Sequence, residues 1–218
     1  MTTAEKRDKI HKPSKAVLAA NRHRIFDAID FATKAHKGQF RPKTNLPYIS
    51  HPVGALAIGA QYGFSEEMLI AVLLHDVLED TDTSISEIEK KFGPRVAHLV
   101  IACTDTCTDN RSIKWKPRKE KKLQYMRNKI NGESMDELLV MCADKLHNIM
   151  SIRDNIKRAR EANLDSWKIE INKRPIKEYQ WYYSEMALAF LEILSVFARE
   201  VETVFGPLDE YQSSKSSP

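Results

Sequence analysis

The sequence contains little of what disulfide-bonded, low-complexity or membrane-spanning proteins need. Its 218 residues include only three cysteines, Cys103, Cys107 and Cys142. This odd and sparse count argues against a disulfide framework and predicts a reducing, cytoplasmic environment. Seven glycines and nine prolines are too few for a low-complexity chain. No apolar run has the length of a bilayer span or of a signal peptide, so we predict no membrane partner.

The formal net charge of the chain is only +4, so charge alone excludes few classes of binding partner. The densest basic run extends from Lys114 to Lys122 and includes Trp115 and Glu120. Such a run can bind nucleic acid, bind a small polyanion such as a nucleotide phosphate, or form a solvated helix face. Because no known DNA- or RNA-binding motif accompanies it, we predict that nucleic acid is not a partner.

Alternation of apolar and polar residues, the pattern of half-buried strands, is also missing over any useful length. Apolar residues recur instead at helical spacing, and the run from Met68 to Leu74 is apolar on all sides, as in a buried central helix. Ser84 and Glu87 have the spacing of a helix capping box. A last long helix is predicted from about Lys177 to Phe205. The fold class that these patterns predict is all-α.

The domain organisation follows from the same patterns. We predict a single compact helical domain over residues 21–208, because apolar residues recur at helical spacing throughout that range. Residues 1–20 are predicted to form a polar extension and first helix. Residues 209–218 are Ser-rich and are predicted to form a disordered tail.

Imidazole and carboxylate side chains interrupt the apolar helices at three points. His75 and Asp76 directly follow the central apolar run, His51 begins the preceding helix, and Asp144 lies between apolar stretches of a later helix. Burying such groups unpaired would cost several kcal/mol, and a divalent cation would offset that cost. Each residue alone is more often an ordinary hydrogen-bonded histidine or a surface acid. The combination predicts a site for Mn, Fe, Zn or a similar ion.

Two further carboxylates follow the His-Asp pair. On a helix, Glu79 shares a face with His75 and Asp76, and Asp80 lies one turn after Asp76. Such a group of ionisable side chains repels itself unless a cation lies within it. Glu79 and Asp80 could then orient or deprotonate a water molecule at the metal. The alternative is that they only form a polar helix end with Thr81.

Three blocks of the sequence resemble the hydrolase domain of the RelA/SpoT family of alarmone enzymes. The blocks are Arg41…Pro47-Tyr48…His51-Pro52, Leu73 to Thr81, and Ala143 to Asn148, in the order and spacing of the family. The chain is too short to carry the synthetase domain of the long members as well. It therefore resembles the stand-alone small alarmone hydrolases of the Mesh1 type, and the resemblance extends from about Phe31 to Leu188.

The resemblance implies a fold, a reaction and a metal. The fold would be the helical HD domain. The reaction would be the hydrolysis of the 3′-pyrophosphate of ppGpp or pppGpp, signals of the stringent response, to GDP or GTP and pyrophosphate. The metal would be Mn²⁺, with another divalent ion left open. The positions that match the family's metal ligands are His51, His75, Asp76 and Asp144, and those that match its catalytic acids are Glu79 and Asp80.

The resemblance also implies a set of substrate contacts. The matching positions are Arg41, Asn148 and Ser151. Lys43 and Thr44 are added because they lie on the same loop as Arg41, and Arg118 and Lys119 are added on charge and position alone. Many long members carry Arg-Thr where this chain has Met150-Ser151. That departure leaves open an adenine alarmone, (p)ppApp, as the substrate.

Two other functions compete with this reading. HD folds also host other nucleotide phosphohydrolases, although those lack the Glu79-Asp80 pair at this position. A non-enzymatic sensor could bind an alarmone on an inactive HD scaffold, but that usually requires the loss of a metal ligand or of an acid, and all six are present. A nucleotide alarmone is thus the predicted partner, and assembly into a homo-oligomer is left open.

Overall fold

A computed structural model of the protein describes residues 15–42, 44–104, 114–130, 135–163, 170–171, 174–190 and 195–215. Helices dominate these residues, which confirms the predicted all-α fold. No described helix combines the length and the apolar character needed to cross a membrane. The elements are α1 (Lys15–Ala35), α2 (Ser50–Gln61), α3 (Glu66–Leu74), α4 (Val77–Asp80), α5 (Ile85–Phe92), α6 (Pro94–Cys103), α7 (Trp115–Ile130), α8 (Asp136–Glu161), β1 (Glu170–Ile171), β2 (Arg174–Pro175), α9 (Ile176–Phe190), α10 (Ser195–Phe205) and α11 (Leu208–Lys215).

Helix α3 is the centre of the fold. The Ser65 side chain caps its first turn by accepting the Met68 N–H at 3.3 Å. The residues from Ile70 to Leu74 are fully buried, since α1, α2, α6 and α8 all pack against this helix. A helix that is apolar all round can be stable only when neighbours surround it in this way. The chain that leaves α3 at Leu74 therefore emerges inside the protein.

The turn between α5 and α6 depends on local signals in the sequence. Ser84 and Glu87 form the predicted capping box, in which the Ser84 N–H donates to Glu87 Oε2 at 2.8 Å and the Glu87 N–H donates to Ser84 Oγ at 3.3 Å. Helix α5 ends at Phe92 and is followed by Gly93, whose φ of +91° and ψ of 164° are accessible in practice only to glycine. Pro94 then begins α6, which returns across α3.

The predicted long helix from Lys177 to Phe205 is wrong, because the structure has two helices, α9 and α10, in this region. The Tyr183 and Phe205 rings are 6.4 Å apart, and Gln180 Nε2 donates to the Phe205 carbonyl at 3.4 Å. One straight helix would separate residues 183 and 205 by about 33 Å. The two helices therefore fold back on one another. Residues 191–194, between the two helices, lie outside the described residues, and their sequence contains neither glycine nor proline to indicate an interruption of the helix.

The prediction of a disordered tail is also wrong for most of its length, because residues up to Lys215 belong to α11. Leu208 is buried at the start of this helix. The buried Glu185 of α9 accepts a hydrogen bond from the Tyr211 hydroxyl at 3.0 Å and pairs with the Lys215 ammonium. The Ser-rich composition of this segment gave no indication of these contacts with α9, which is distant in sequence. Residues 216–218 lie outside the described residues, and the predicted domain boundaries stay a prediction.

A buried carboxylate connects three helices at one end of the fold. Glu137, in the first turn of α8, accepts hydrogen bonds from the Tyr125 hydroxyl, from Lys129 Nζ at 3.0 Å and from His98 Nε2 at 2.9 Å. Burial raises the pKa of Glu137, but these three donors outweigh burial and lower the pKa to about 2 from an ordinary 4.5. The ionised carboxylate thus joins α6, α7 and α8.

Glu137→Gln should destabilise the protein at neutral pH by on the order of 3 kcal/mol, because the variant loses the ionised acceptor. The folded-state pKa is depressed, so this contribution is complete above about pH 4.5 and is lost as the pH falls towards about 2. Urea denaturation of both proteins across this range measures it, with the exposed Glu89→Gln as control. A stability gap that does not narrow on acidification would contradict this role.

Candidate metal centre and active site

The interruption between α3 and α4 brings two neighbouring side chains to one point. Adjacent residues of a continuous helix diverge by about 100° around its axis. Here α3 ends at Leu74, and Asp76 adopts φ −99° and ψ −7° before α4 begins. Backbone conformations of this kind recur at active sites. As a result His75 Nε2 lies only 2.9 Å from Asp76 Oδ2.

Side chains from two other helices complete a cluster of four. His51, from the first turn of α2, has its Nε2 at 3.1 Å from Asp144 Oδ1 and 3.7 Å from Asp76 Oδ2. Asp144 comes from α8, and its Oδ1 is also 3.5 Å from His75 Nε2. The structure thus brings together all four predicted metal ligands, called the His-Asp cluster below. Donor atoms of His51, His75 and Asp76 all lie within 4.8 Å of one another, close enough to hold one ion.

The hydrogen bonding of His75 fits a metal ligand. Its Nδ1 is 2.7 Å from the Val72 carbonyl, which can only accept, so Nδ1 carries a proton. Its Nε2 is buried and makes no hydrogen bond within the described part of the chain, although carboxylate oxygens lie nearby. A histidine whose Nδ1–H is bonded to a carbonyl offers its Nε2 lone pair to a metal. The donor set therefore suits a divalent cation.

The electrostatics of the cluster favour ionised carboxylates. Burial opposes ionisation, but Lys145 and His75 hold the pKa of Asp144 well below its ordinary value, and His75 lowers that of Asp76. Burial also opposes a charged His75, but the two carboxylates raise its pKa well above the usual range. For His51, burial outweighs Asp144 and lowers the pKa. Without another cation, the proton of His75 supplies the balancing charge, and a metal ion would compete with that proton.

The predicted acids lie on the short helix beside the cluster. The Tyr48 hydroxyl donates to Asp76 Oδ2 at 2.6 Å and also interacts with the carboxylate of Asp80. Partial burial and the charge of Asp76 raise the pKa of Asp80. Gln39 Nε2 donates to the Asp80 carbonyl at 2.7 Å and fixes this end of α4. Glu79 is half-buried at the preceding position of the helix.

A cavity of about 800 Å³ lies beside the cluster. Most of the predicted substrate contacts line it, namely Arg41, Thr44, Asn148, Ser151 and Lys119. Asn148 connects the cavity to the cluster, because its Nδ2 donates to Asp144 Oδ1 at 2.6 Å and its Oδ1 accepts from Arg41 Nη2 at 3.4 Å. Arg118 is not part of the lining, and Lys43 lies outside the described residues.

The cavity also contains residues that the sequence did not single out. Lys145, His147 and Arg158 line it from α8. Together with Asp144, Asn148 and Ser151, they form a polar face along this helix, and the recurrence of polar residues at 144, 147, 148, 151, 155 and 158 was the signal that could have found it. Four aromatic residues also line the cavity, namely Trp115, Tyr179, Tyr182 and Tyr183.

Comparison with known proteins agrees with this geometry. The HD domain family matches residues 28–169, a span that contains the whole His-Asp cluster. The chain belongs to the HD domain family. Curated relatives of this HD domain include the mouse protein named guanosine-3′,5′-bis(diphosphate) 3′-pyrophosphohydrolase MESH1. It is 35% identical over 131 residues, which cover 59% of this chain and 69% of the mouse protein.

Other relatives are longer bacterial proteins or solved structures. A guanosine-3′,5′-bis(diphosphate) 3′-pyrophosphohydrolase of Haemophilus influenzae is 35% identical over 123 residues, which cover 56% of this chain and 17% of the relative. The part of this chain that matches thus spans less than a fifth of the length of the bacterial relative. A solved structure, described as a metazoan ortholog of SpoT that hydrolyses ppGpp, has a TM-score of 0.65 and 25% identity, covering 89% of this chain and 96% of its own.

Asp144→Ala should abolish stoichiometric binding of Mn²⁺, because it removes one of the two carboxylates of the cluster. The measurement is metal content after dialysis against Mn²⁺, by atomic emission, with circular dichroism to verify folding. Asp30→Ala, on the exposed face of α1, is the matched control. Full metal content in the Asp144 variant would remove this residue from the ligand set.

Proposed function

We propose that this HD domain hydrolyses ppGpp or pppGpp to GDP or GTP and pyrophosphate. One observation supports the proposal above all others. A cavity of about 800 Å³ lies beside the His-Asp cluster and carries cationic, amide and aromatic groups, as a phosphorylated nucleoside requires. Two of its lining residues, Lys145 and Asn148, contact Asp144 of the cluster. Relatives whose names state this activity share the family, and one of them has 69% of its length covered by this chain.

In this proposal His51, His75, Asp76 and Asp144 hold one divalent cation, with Mn²⁺ as the first choice. A mixed set of imidazole nitrogens and carboxylate oxygens suits Mn²⁺ and similar ions. When bound, the cation supplies a Lewis acid for a phosphoryl group and lowers the pKa of coordinated water. The Tyr48 hydroxyl donates to one oxygen of Asp76, and the Lys145 ammonium donates to one oxygen of Asp144. These contacts orient the two carboxylates.

The proton transfers are assigned to the acids of α4. Asp80 accepts a proton from the attacking water, whose oxygen forms a bond to the phosphorus attached at the ribose 3′ oxygen. The bond between that phosphorus and the 3′ oxygen breaks, the 3′ oxygen takes up a proton from solvent, and Asp80 releases its proton to solvent. The raised pKa of Asp80 brings it closer to the operating pH, where a general base is most effective. Glu79 orients the same water from the preceding position.

The cations of the cavity are assigned to the phosphates and the polar groups to the nucleoside. Lys145 and Arg158 from α8 and Lys119 from α7 would face the negative charge of the substrate. Arg41 lies with its guanidinium carbon 5.8 Å from the centre of the Tyr48 ring and is held by Asn148, so a base could stack on it. Asn148 and Ser151 would contact the ribose and base.

The basic run of α7 fits this role better than it fits nucleic-acid binding. Lys119 lines the cavity with its ammonium 5.5 Å from the centre of the Tyr182 ring. Lys122 is buried and donates to the carbonyls of Ala102 and Cys103 at the end of α6, at 2.7 and 3.0 Å. We therefore propose a nucleotide as the partner and a cytoplasmic location, consistent with the low cysteine content.

The purified protein should release pyrophosphate from ppGpp and pppGpp in the presence of Mn²⁺, and lose this activity with EDTA. Anion-exchange chromatography of the products measures it, and ppApp in a parallel reaction ranks guanine against adenine. Preferential release of ADP would make the protein an adenine-alarmone hydrolase. No turnover of the three compounds by metal-loaded protein would contradict the proposal and favour another HD-type nucleotide phosphohydrolase.

Asp80→Asn and Glu79→Gln should keep their metal and lose turnover by roughly 10²- to 10⁴-fold, as expected when a general base or its orienting partner is removed. Steady-state kinetics with ppGpp and metal analysis of the same preparations measure both properties. Asp82→Asn, on the exposed loop after α4, is the control. If one acid variant turned over at the normal rate, that acid would have no part in the mechanism.

A further inference from the structure

A histidine outside the His-Asp cluster is bonded directly to one of its members. His147 lies on α8, one turn after Asp144, and its Nδ1 is 2.7 Å from Nδ1 of His51. The two ring centres are 4.8 Å apart. His51 is only 1% exposed, so its Nδ1 has no access to bulk water. In such a contact between two ring nitrogens, one must donate and the other must accept.

The other face of His51 determines which nitrogen donates. Its Nε2 points towards the carboxylates of Asp144 and Asp76, at 3.1 and 3.7 Å. To coordinate a cation there, Nε2 must be unprotonated, and the ring proton must reside on Nδ1. Nδ1 then donates, and Nδ1 of His147 accepts. His75 has the same arrangement, except that its acceptor is the backbone carbonyl of Val72.

The position of the His147 ring is determined by a third element of the fold. A Cβ atom on Gly54 of α2 would lie 2.2 Å from His147 Nε2 and 2.4 Å from its Cδ2. Any side chain at residue 54 would therefore displace the ring. Helix α2 carries His51 and, one turn later, Gly54, whose lack of a side chain leaves the space that the imidazole of His147 occupies. The contact between His51 and His147 thus depends on both helices at once.

We propose that His147 is a positioning residue, whose Nδ1 accepts the Nδ1–H of His51 and thereby presents the Nε2 lone pair of His51 to the cation. The inference rests on the metal centre of the proposed function and not on its substrate. His75 needs no side chain for this purpose, because a backbone carbonyl serves it. His51 depends on a side chain that a single substitution can remove.

The test compares two substitutions of opposite character. His147→Phe keeps a ring of similar size and removes the acceptor, whereas His147→Asn loses the ring but keeps an acceptor oxygen near the place of Nδ1. Binding of Mn²⁺ to metal-free protein is measured by electron paramagnetic resonance and calorimetry. We expect the affinity to fall ten- to a hundredfold in His147→Phe and to stay within roughly threefold of wild type in His147→Asn. Retained affinity in the Phe variant with loss in the Asn variant would show that the ring only fills space, and would overturn the inference.

Two further measurements keep the inference testable in the wild-type protein. With Zn²⁺ as a diamagnetic ion and ¹⁵N-labelled histidine, a nitrogen–nitrogen coupling across the hydrogen bond should connect Nδ1 of His51 with Nδ1 of His147, and a protonated His147 Nδ1 would refute it. Gly54→Ala, which displaces the ring without removing a nitrogen, should weaken Mn²⁺ binding as His147→Phe does, and unchanged affinity would count against the inference. Wild-type protein that binds no metal would overturn the metal centre as well, whereas metal binding without turnover would affect only the proposed reaction.

Discussion

The structure depends on one constraint, the burial of two carboxylates and two imidazoles among apolar helices. Helix α3 can be central because every residue from Met68 to Leu74 is apolar, and the first polar residues after it therefore arise in the interior. An isolated charge there would be costly, but His75, Asp76 and Asp144 balance one another within 3.5 Å. The chain breaks its helix after Leu74 so that His75 and Asp76 can face the same point. Function and folding thus impose the same geometry on these residues.

Much of the site was predictable, because its signals are local. A His-Asp pair at the end of an apolar run, and an acid between apolar stretches of a helix, are unfavourable unless they meet a partner, and the structure brings them together. The capping box at Ser84 depends on residues three positions apart and appears as predicted. The polar face of α8 follows from helical spacing alone. Such features need no knowledge of the rest of the fold.

What the sequence concealed are contacts between distant residues. His147 contacts His51 across 96 positions, and helical spacing, which places it on the polar face of α8, does not indicate this partner. Helix α11 owes its place to Glu185, 26 residues before Tyr211. Helices α9 and α10 pack on one another through contacts such as that between the Tyr183 and Phe205 rings, and neither glycine nor proline in the intervening sequence indicates this arrangement. Composition and periodicity carry no information about such pairs.

The tertiary contacts also change the meaning of the Met150-Ser151 departure. Met150 is half-buried against the core and does not line the cavity, so its side chain would not contact a nucleotide bound there. Ser151 does line the cavity, but its hydroxyl donates to the His147 carbonyl at 2.9 Å. Under the proposed function it would therefore offer a base only lone pairs, which suit an amino group rather than a carbonyl. Adenine and guanine both carry an amino group, on different edges, so this hydroxyl alone would not distinguish the two bases.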